Sequence, residues 1–161
     1  MITADAAAFA AALPGRGRLA GLDVGTRTIG LATATADWRH ATARGTLART
    51  RPAADRARLL AFLQAEGVAG VVVGLPLKLD GSDSDRTRSV RAQAHNLAAA
   101  SGLPVLLWDE RWSTLAVERV LHAARLSRAR RARAVDALAA QWILEGALRR
   151  LTELAGPGPG P

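Results

Sequence analysis

Between residues 18 and 154 the chain alternates short apolar runs with longer stretches of helical period. Arg18 to Val24 is an apolar run closed by Gly25, and Thr28 to Thr35 is a second, rich in β-branched residues and alanine. Ala41 to Thr50 is a weaker third. Only three or four residues join the first two, which makes them antiparallel neighbours. Pro52 opens a helical stretch with Leu59, Leu60 and Leu63 on one face, and Gly67 stops it. Val68 to Gly74 is the clearest strand, and its unbroken apolar character implies burial on both faces. After a polar loop from Lys78 to Asp85, a helix runs to about Ala100 and ends at Ser101-Gly102. Leu103 to Trp108 reads as another buried strand. Ser113 or Thr114 caps a helix to about Ala124, and a last helix covers Ala129 to Leu154. The order β-β-β-α-β-α-β-α-α predicts an α/β domain: a mixed five-stranded sheet flanked by helices.

The ends differ from this middle. Residues 1–16 form an alanine-rich extension, expected as a short helix or a loose arm, and 17–154 form the single domain. The Gly-Pro repeat of 155–161 cannot make a helix or a sheet ladder and is expected to be disordered. Met1 to Leu13 carries no Lys or Arg ahead of its apolar stretch, so it does not read as a signal peptide. No apolar run reaches the roughly 18–20 residues that a membrane span needs. With no cysteine to form disulfides or zinc-thiolate sites, the chain reads as cytoplasmic.

Charge narrows the partner. Lys plus Arg number 22 against 14 Asp plus Glu, a net +8 on 161 residues, and Lys78 is the only lysine. Such a surface attracts polyanions without specifying which.

Three acidic positions stand out against the apolar pattern. Asp23 lies inside the first strand, on the face of Gly21 and Leu19, where a charge is costly unless compensated. The competing reading is an aspartate that starts the turn at Val24-Gly25. Asp109-Glu110 stands at the C-terminal end of a strand, where α/β sheets bind ligands. Alternation lets only one of that pair share a face with Asp23, and spacing does not choose which. Asp136 lies on the apolar stripe of the last helix with Ala140, Ile143 and Ala147, so it must be paired, protonated or metal-bound. A buried salt bridge to a nearby arginine is its competing reading. Oxygen ligands without Cys or suitably spaced His match Mg²⁺ or Mn²⁺. Two such ions, about 3.5–4 Å apart, serve phosphodiester hydrolysis.

Basic residues surround these acids. Arg125, Arg128, Arg130, Arg131 and Arg133 lie just ahead of Asp136, and Arg86, Arg88 and Arg91 open the middle helix. Either group can hold phosphates or form a solvated helix face, and density beside Asp136 favours phosphate for the first. The expected substrate contacts are Arg128, Arg130, Arg131 and Arg133, together with Arg111 and Lys78. Of the four tryptophans, all able in principle to stack on bases, Trp108 and Trp142 read as core and Trp112 as the substrate contact. His40, His95 and His122 are scattered and read as surface residues.

Four segments together resemble the YqgF (RuvX) family of bacterial Holliday-junction-resolvase-like proteins, also described as pre-16S rRNA nucleases. They are Gly21-Leu22-Asp23-Val24-Gly25-Thr26-Arg27-Thr28-Ile29-Gly30; Val73-Gly74-Leu75-Pro76-Leu77 with Asp80-Gly81; Asp109-Glu110-Arg111-Trp112-Ser113-Thr114; and Val135-Asp136 with Ala139-Ala140 and Ile143-Leu144. They occur in the family's order and spacing over roughly residues 18–148. The resemblance implies a ribonuclease H-like fold, a metal-binding catalytic set of Asp23, Glu110 and Asp136, and a role in maturing the 5′ end of precursor 16S ribosomal RNA. It thereby selects Glu110 over Asp109, and it implies a ribosomal precursor particle as partner. Lys78-Leu79 replaces the more usual Asn-Met-type pair, Trp112 stands where Leu is common, and Ala137 replaces a small hydroxyl residue.

Three other functions compete: a Holliday-junction DNA resolvase, a non-catalytic nucleic-acid-binding factor, and an ATP-binding module. The last draws on the likeness of Gly21 to Gly30 to the first phosphate loop of actin-like ATPases. Those proteins enclose nucleotide between two lobes, and this chain has the length of one.

Overall fold

The computed structural model describes residues 1–112, 125 and 128–156. Its strands are β1 (Ile2–Thr3), β2 (Leu19–Val24), β3 (Thr28–Ala34), β4 (Ala41–Ala48), β5 (Gly70–Leu75) and β6 (Val105–Asp109). Its helices are α1 (Ala6–Ala12), α2 (Pro52–Glu66), α3 (Asp85–Ser101) and α4 (Arg128–Ala155). A single 3-10 turn, Glu110–Trp112, follows β6. The helix expected from Ser113 or Thr114 to Ala124, and the tail beyond Gly156, lie outside the described residues.

Local chemistry accounts for the helix boundaries. Pro52 opens α2 at a position where its missing N–H costs no helical bond. The helix closes at Gly67, whose φ of 59° is left-handed. Ser84 and Thr87 form a reciprocal capping box at the start of α3.

The sheet runs β1-β6-β5-β2-β3-β4. β2, β3 and β4 are an antiparallel meander, while β5 pairs parallel with both β2 and β6. Among the described residues it therefore has six strands rather than the five expected. The additional one is β1, which pairs parallel with β6 through Ile2↔Val105 and Thr3↔Leu106. Residues 1–16, expected as a short helix or a loose arm, supply that edge strand and α1. Phe9 of α1 is fully buried. Two residues of ladder are too weak a signal to read from sequence.

Alternation along the strands divides the core into two layers. Ala20, Leu22, Val24, Val71, Val73, Val105 and Leu107 face α2 and α3. Leu19, Val72 and Leu106 face α1 and α4, against Phe9, Ala140, Ile143, Leu144 and Ala147. Both faces of β5 are buried, as its continuous apolar run requires. No helix among the described residues is long and apolar enough to cross a membrane.

Candidate active site

The three acidic positions converge on the α4 side of the sheet, at the end where β2 and β5 terminate. Register and glycine positions fix this placement. On β2, a Cβ at Gly21 would meet the Ala140 carbonyl oxygen at 2.7 Å and Leu144 Cβ at 2.8 Å. Asp23, two residues on, points to the same helix. Asp23 pairs in register with Gly30 of β3, and Gly30 lies directly beneath the Asp136 carbonyl. The chain must be bare at Gly30 for α4 to approach this closely.

Asp136 is held from the sheet. The Thr28 hydroxyl donates to its Oδ2, and Thr28 shares with Gly30 the α4 side of β3. On the helix, Ala140 and Ala147 are fully buried and Ile143 is nearly so. The stripe carrying Asp136 is therefore the stripe packed on the sheet.

Geometry separates Asp109 from Glu110. Trp108 lies on the α4 side, where its indole packs against Gly146. Asp109 points the other way and engages Arg111, with Nη2 to Oδ2 at 2.7 Å and Nε at 3.1 and 3.2 Å from the two oxygens. Glu110 returns to the α4 side. Its Oε1 occupies the space over Gly74 that any side chain there would fill, beside Ile143. Since Gly74 is one step beyond the Leu22↔Val73 pair, Glu110 reaches the β2–β5 boundary where Asp23 stands.

The remaining expected contacts divide. Lys78 is exposed on the turn after β5. Arg111, expected to touch substrate, uses its guanidinium to hold Asp109 and to donate from Nη1 to the Leu79 carbonyl at 3.2 Å. That pairing raises the Arg111 pKa further above its ordinary value, through the Asp109 hydrogen bonds and charge against opposing desolvation. Arg128, Arg130, Arg131 and Arg133 lie on the first turns of α4, and their side chains are outside the described residues. Arg125 is exposed. In the second arginine group, Arg88 pairs with Asp85, and Arg91 pairs with Asp83 at 2.9 Å. Trp38 is buried, and its indole N–H donates to the Gly17 carbonyl at 3.0 Å, so it is a core residue. His40 and His95 are exposed; the side chain of Trp112 and all of His122 fall outside the described residues.

Thr28 is the residue that the carboxylate argument missed. Its signal was present: β3 must bring a residue to Asp23's side two positions before Gly30, and a hydroxyl there can orient an acid from the helix.

The donor set is chemically suited to a hard cation, being carboxylate oxygen throughout. Among the described residues, no three acidic or imidazole groups stand close enough together to enclose one. A cavity of about 520 Å³ opens instead at the edge of β6, lined in part by Asp5, Leu77, Leu107, Trp108 and Arg150. None of Asp23, Glu110 and Asp136 lines it.

Known proteins share both sequence and architecture with this chain. A family model described as "RuvX: Holliday junction resolvase" matches residues 17–150. A protein of Sphingopyxis alaskensis named "Putative pre-16S rRNA nuclease" is 58% identical over 152 residues, covering 94% of this chain and 99% of its own length. One of the same name from Zymomonas mobilis subsp. mobilis is 56% identical over 140 residues, covering 87% and 85%. Among solved structures, T. thermophilus RuvC in complex with Holliday junction substrate superposes with a TM-score of 0.52 at 15% identity, covering 86% of this chain and 96% of that one. That likeness shows the fold, which is ribonuclease H-like.

Proposed function

The chain belongs to the RuvX family, and on that premise we propose that it is a metal-dependent nuclease maturing the 5′ end of precursor 16S ribosomal RNA in the cytoplasm. A member of this family is a hydrolase acting on phosphodiester bonds. The catalytic carboxylates in this reading are Asp23, Glu110 and Asp136. The observation that carries it is their delivery to one side and one end of the sheet by three separate elements, over a bare glycine seat in two cases.

In this reading Asp23, Glu110 and Asp136 would hold Mg²⁺ or Mn²⁺ once their side chains close on it, and the ion would supply Lewis acidity toward a phosphate and a bound water. Thr28 orients Asp136 by donating to Oδ2. Glu110 takes its position from Gly74, which has no side chain to displace it.

Arg128, Arg130, Arg131 and Arg133 hold the phosphate backbone. Residues 125–135 contain five arginines and no acid. Cations in the first turn of a helix oppose its dipole, each at a cost of roughly 0.3–1 kcal/mol. The same positions place positive charge and helix N-terminal potential together, next to Asp136, where a polyanion is attracted. Lys78 contributes a further phosphate contact, while Arg111 positions the turn that carries it. The partner is precursor rRNA, within a ribosomal precursor particle.

The test is a cleavage assay on a precursor 16S RNA fragment and on a four-way DNA junction, with Mg²⁺, Mn²⁺ or chelator. Cutting of the RNA that requires metal and is lost in the Asp23→Asn/Asp136→Asn variant is the expected result. Preferential cutting of the junction would transfer the substrate to DNA. Binding without cutting under every condition would overturn the nuclease.

A further inference from the structure

Two loops at the end of the sheet that carries the acids hold cations that no ion pair uses. Arg27 lies in the β2–β3 loop, between Asp23 and Thr28 in the chain, and Arg51 lies between β4 and α2. Both are exposed, and neither enters an ion pair among the described residues. A lone exposed arginine is ordinary, because a long cation is well solvated on any loop. These two differ in that their loops are fastened to each other.

Other arginines do the fastening. The Arg49 N–H donates to the Arg27 carbonyl at 2.8 Å, and Arg49 Nη1 donates to the Gly25 carbonyl at 2.8 Å. The Gly25 N–H donates to the Thr28 carbonyl at 2.9 Å, which closes the β2–β3 turn. On the second loop, buried Asp55 accepts from the Thr50 N–H at 2.9 Å and from Arg58 at 2.6 Å, and lies 3.8 Å from Arg49. Residues 24–28 and 48–58 together hold five arginines and one acid, Asp55. Arg49 and Arg58 take up that acid. The remaining charge stands on half-buried Arg56 and on exposed Arg27 and Arg51. The other carboxylates at this end of the sheet are the candidate catalytic set itself, whose charge a bound metal would offset.

Position gives the pair its task. β2 ends and β3 begins where Asp23 stands, and Ala48, the last residue of β4, pairs in register with Thr28. Thr28 in turn holds Asp136. The loop of Arg51 therefore lies on the β4 side of the acids, two strand spacings, roughly 10 Å, from the strand of Asp23. Lys78 follows β5 on the opposite side. At that separation a nuclease substrate presents a phosphate neighbouring the one to be cut, and guanidinium groups take phosphate oxygens bidentately. We propose that Arg27 and Arg51 form a phosphate subsite that holds the nucleic-acid backbone on the β4 side of Asp23, Glu110 and Asp136. A strand seated between this pair and Lys78 crosses the acids with a cationic hold on each side of the scissile bond. This rests on the nuclease reading above and adds to it the course of the strand across the site.

The experiment uses the full chain and a fluorescein-labelled precursor 16S RNA fragment. Affinity is read by anisotropy in chelator from low to high salt, and cleavage is read in Mg²⁺ or Mn²⁺. Arg27→Gln and Arg51→Gln should each weaken binding roughly three- to tenfold and flatten the slope of log K against log salt by about 0.7–0.9. Arg51→Lys, which keeps the charge, should keep the slope. Both Gln variants should raise KM more than they lower kcat, and should melt with the wild type because neither side chain is buried. Arg39→Gln removes the same charge from the β3–β4 hairpin at the far end of the sheet, and should change neither affinity nor slope.

An Arg27→Gln/Arg51→Gln variant with wild-type affinity and salt slope overturns the proposal. So does Arg39→Gln that loses as much as Arg51→Gln, because the effect is then that of the overall field. Wild-type protein that fails to bind the RNA overturns it as well. If nothing is cut in either metal but binding and its salt slope depend on Arg27 and Arg51, the subsite stands and the nuclease reading falls.

Discussion

Adding one methyl group at Gly30 tests both the packing of α4 and the placement of Asp136. A Cβ on Gly30 would stand 2.5 Å from the carbonyl carbon of Asp136, nearer to its oxygen, and 3.3 Å from the Ala137 nitrogen. Carbon–carbon contacts are ordinarily at least about 3.5 Å, so helix or strand must yield by roughly 1 Å. The obstructing atoms are helical backbone and cannot swing aside. Overpacking of this kind costs about 1–3 kcal/mol, and the rigid neighbour places Gly30→Ala near the upper end. That corresponds to a melting temperature lower by roughly 6–12 °C in a domain of this size. A catalytic acid displaced by about 1 Å can lose about 100-fold in rate. Gly74→Ala is the matched control. Its Cβ would meet side-chain atoms rather than backbone, namely the Glu110 carboxylate and buried Ile143. It should cost about 1 kcal/mol, toward the lower end of the overpacking range because side chains rather than helical backbone must shift, yet still reduce cleavage by displacing Glu110. Urea denaturation and the RNA cleavage assay read the two effects separately. Gly30→Ala with unchanged stability and full activity would refute the packing of α4 on β3. Gly74→Ala with full activity would refute the seat proposed for Glu110.

Other outcomes follow from the same contacts. Phe9→Ala should destabilise by about 3 kcal/mol, because a fully buried ring against Gly70 is lost; a urea midpoint within experimental error of wild type would show that α1 is not part of the core. Asp55 accepts from the Thr50 N–H and hydroxyl, each at 2.9 Å, and from Arg58 at 2.6 Å. These bonds, the Thr50 N–H foremost, hold its pKa below the usual carboxylate value against the opposing effect of desolvation. Its contribution is therefore present above the unfolded pKa of about 3.9 and is lost as the pH falls through the lower folded value. Urea midpoints from pH 7 to 2 should decline less steeply for Asp55→Asn than for wild type, and parallel curves would remove Asp55 from the acid sensitivity. Asp109→Asn should loosen the turn around Leu79 by weakening the hold on Arg111, seen as faster proteolysis between residues 78 and 83. Unchanged protection would mean that the backbone bonds of the turn suffice.

What was legible in the sequence followed periodicity. The interior strands announced themselves because both faces are buried and their runs are long enough to count. Asp136 was legible because it interrupts an apolar stripe that Ala140, Ile143 and Ala147 define, and those three are buried. β1 was not, since two residues of edge strand carry no period and depend on β6 being present to receive them. Trp38 was not, since its burial depends on Gly17, 21 residues earlier, offering a carbonyl to the indole.

The cationic residues show the deeper limit. Sequence reports the sign of a charge but not its availability, which depends on partners far along the chain. Arg18 and Arg44 share Glu66, Arg49 and Arg58 share Asp55, and Arg91 is held by Asp83. Arg111, an expected substrate contact, also binds its neighbour Asp109 and the carbonyl of Leu79, 32 residues away. Pairing therefore redistributes the net charge rather than adding to it. Where carboxylates are interleaved the field is neutralised locally, as at Arg91 and Asp83. The total of +8 therefore gives the sign of the chain's field but not where on the surface that field is strongest.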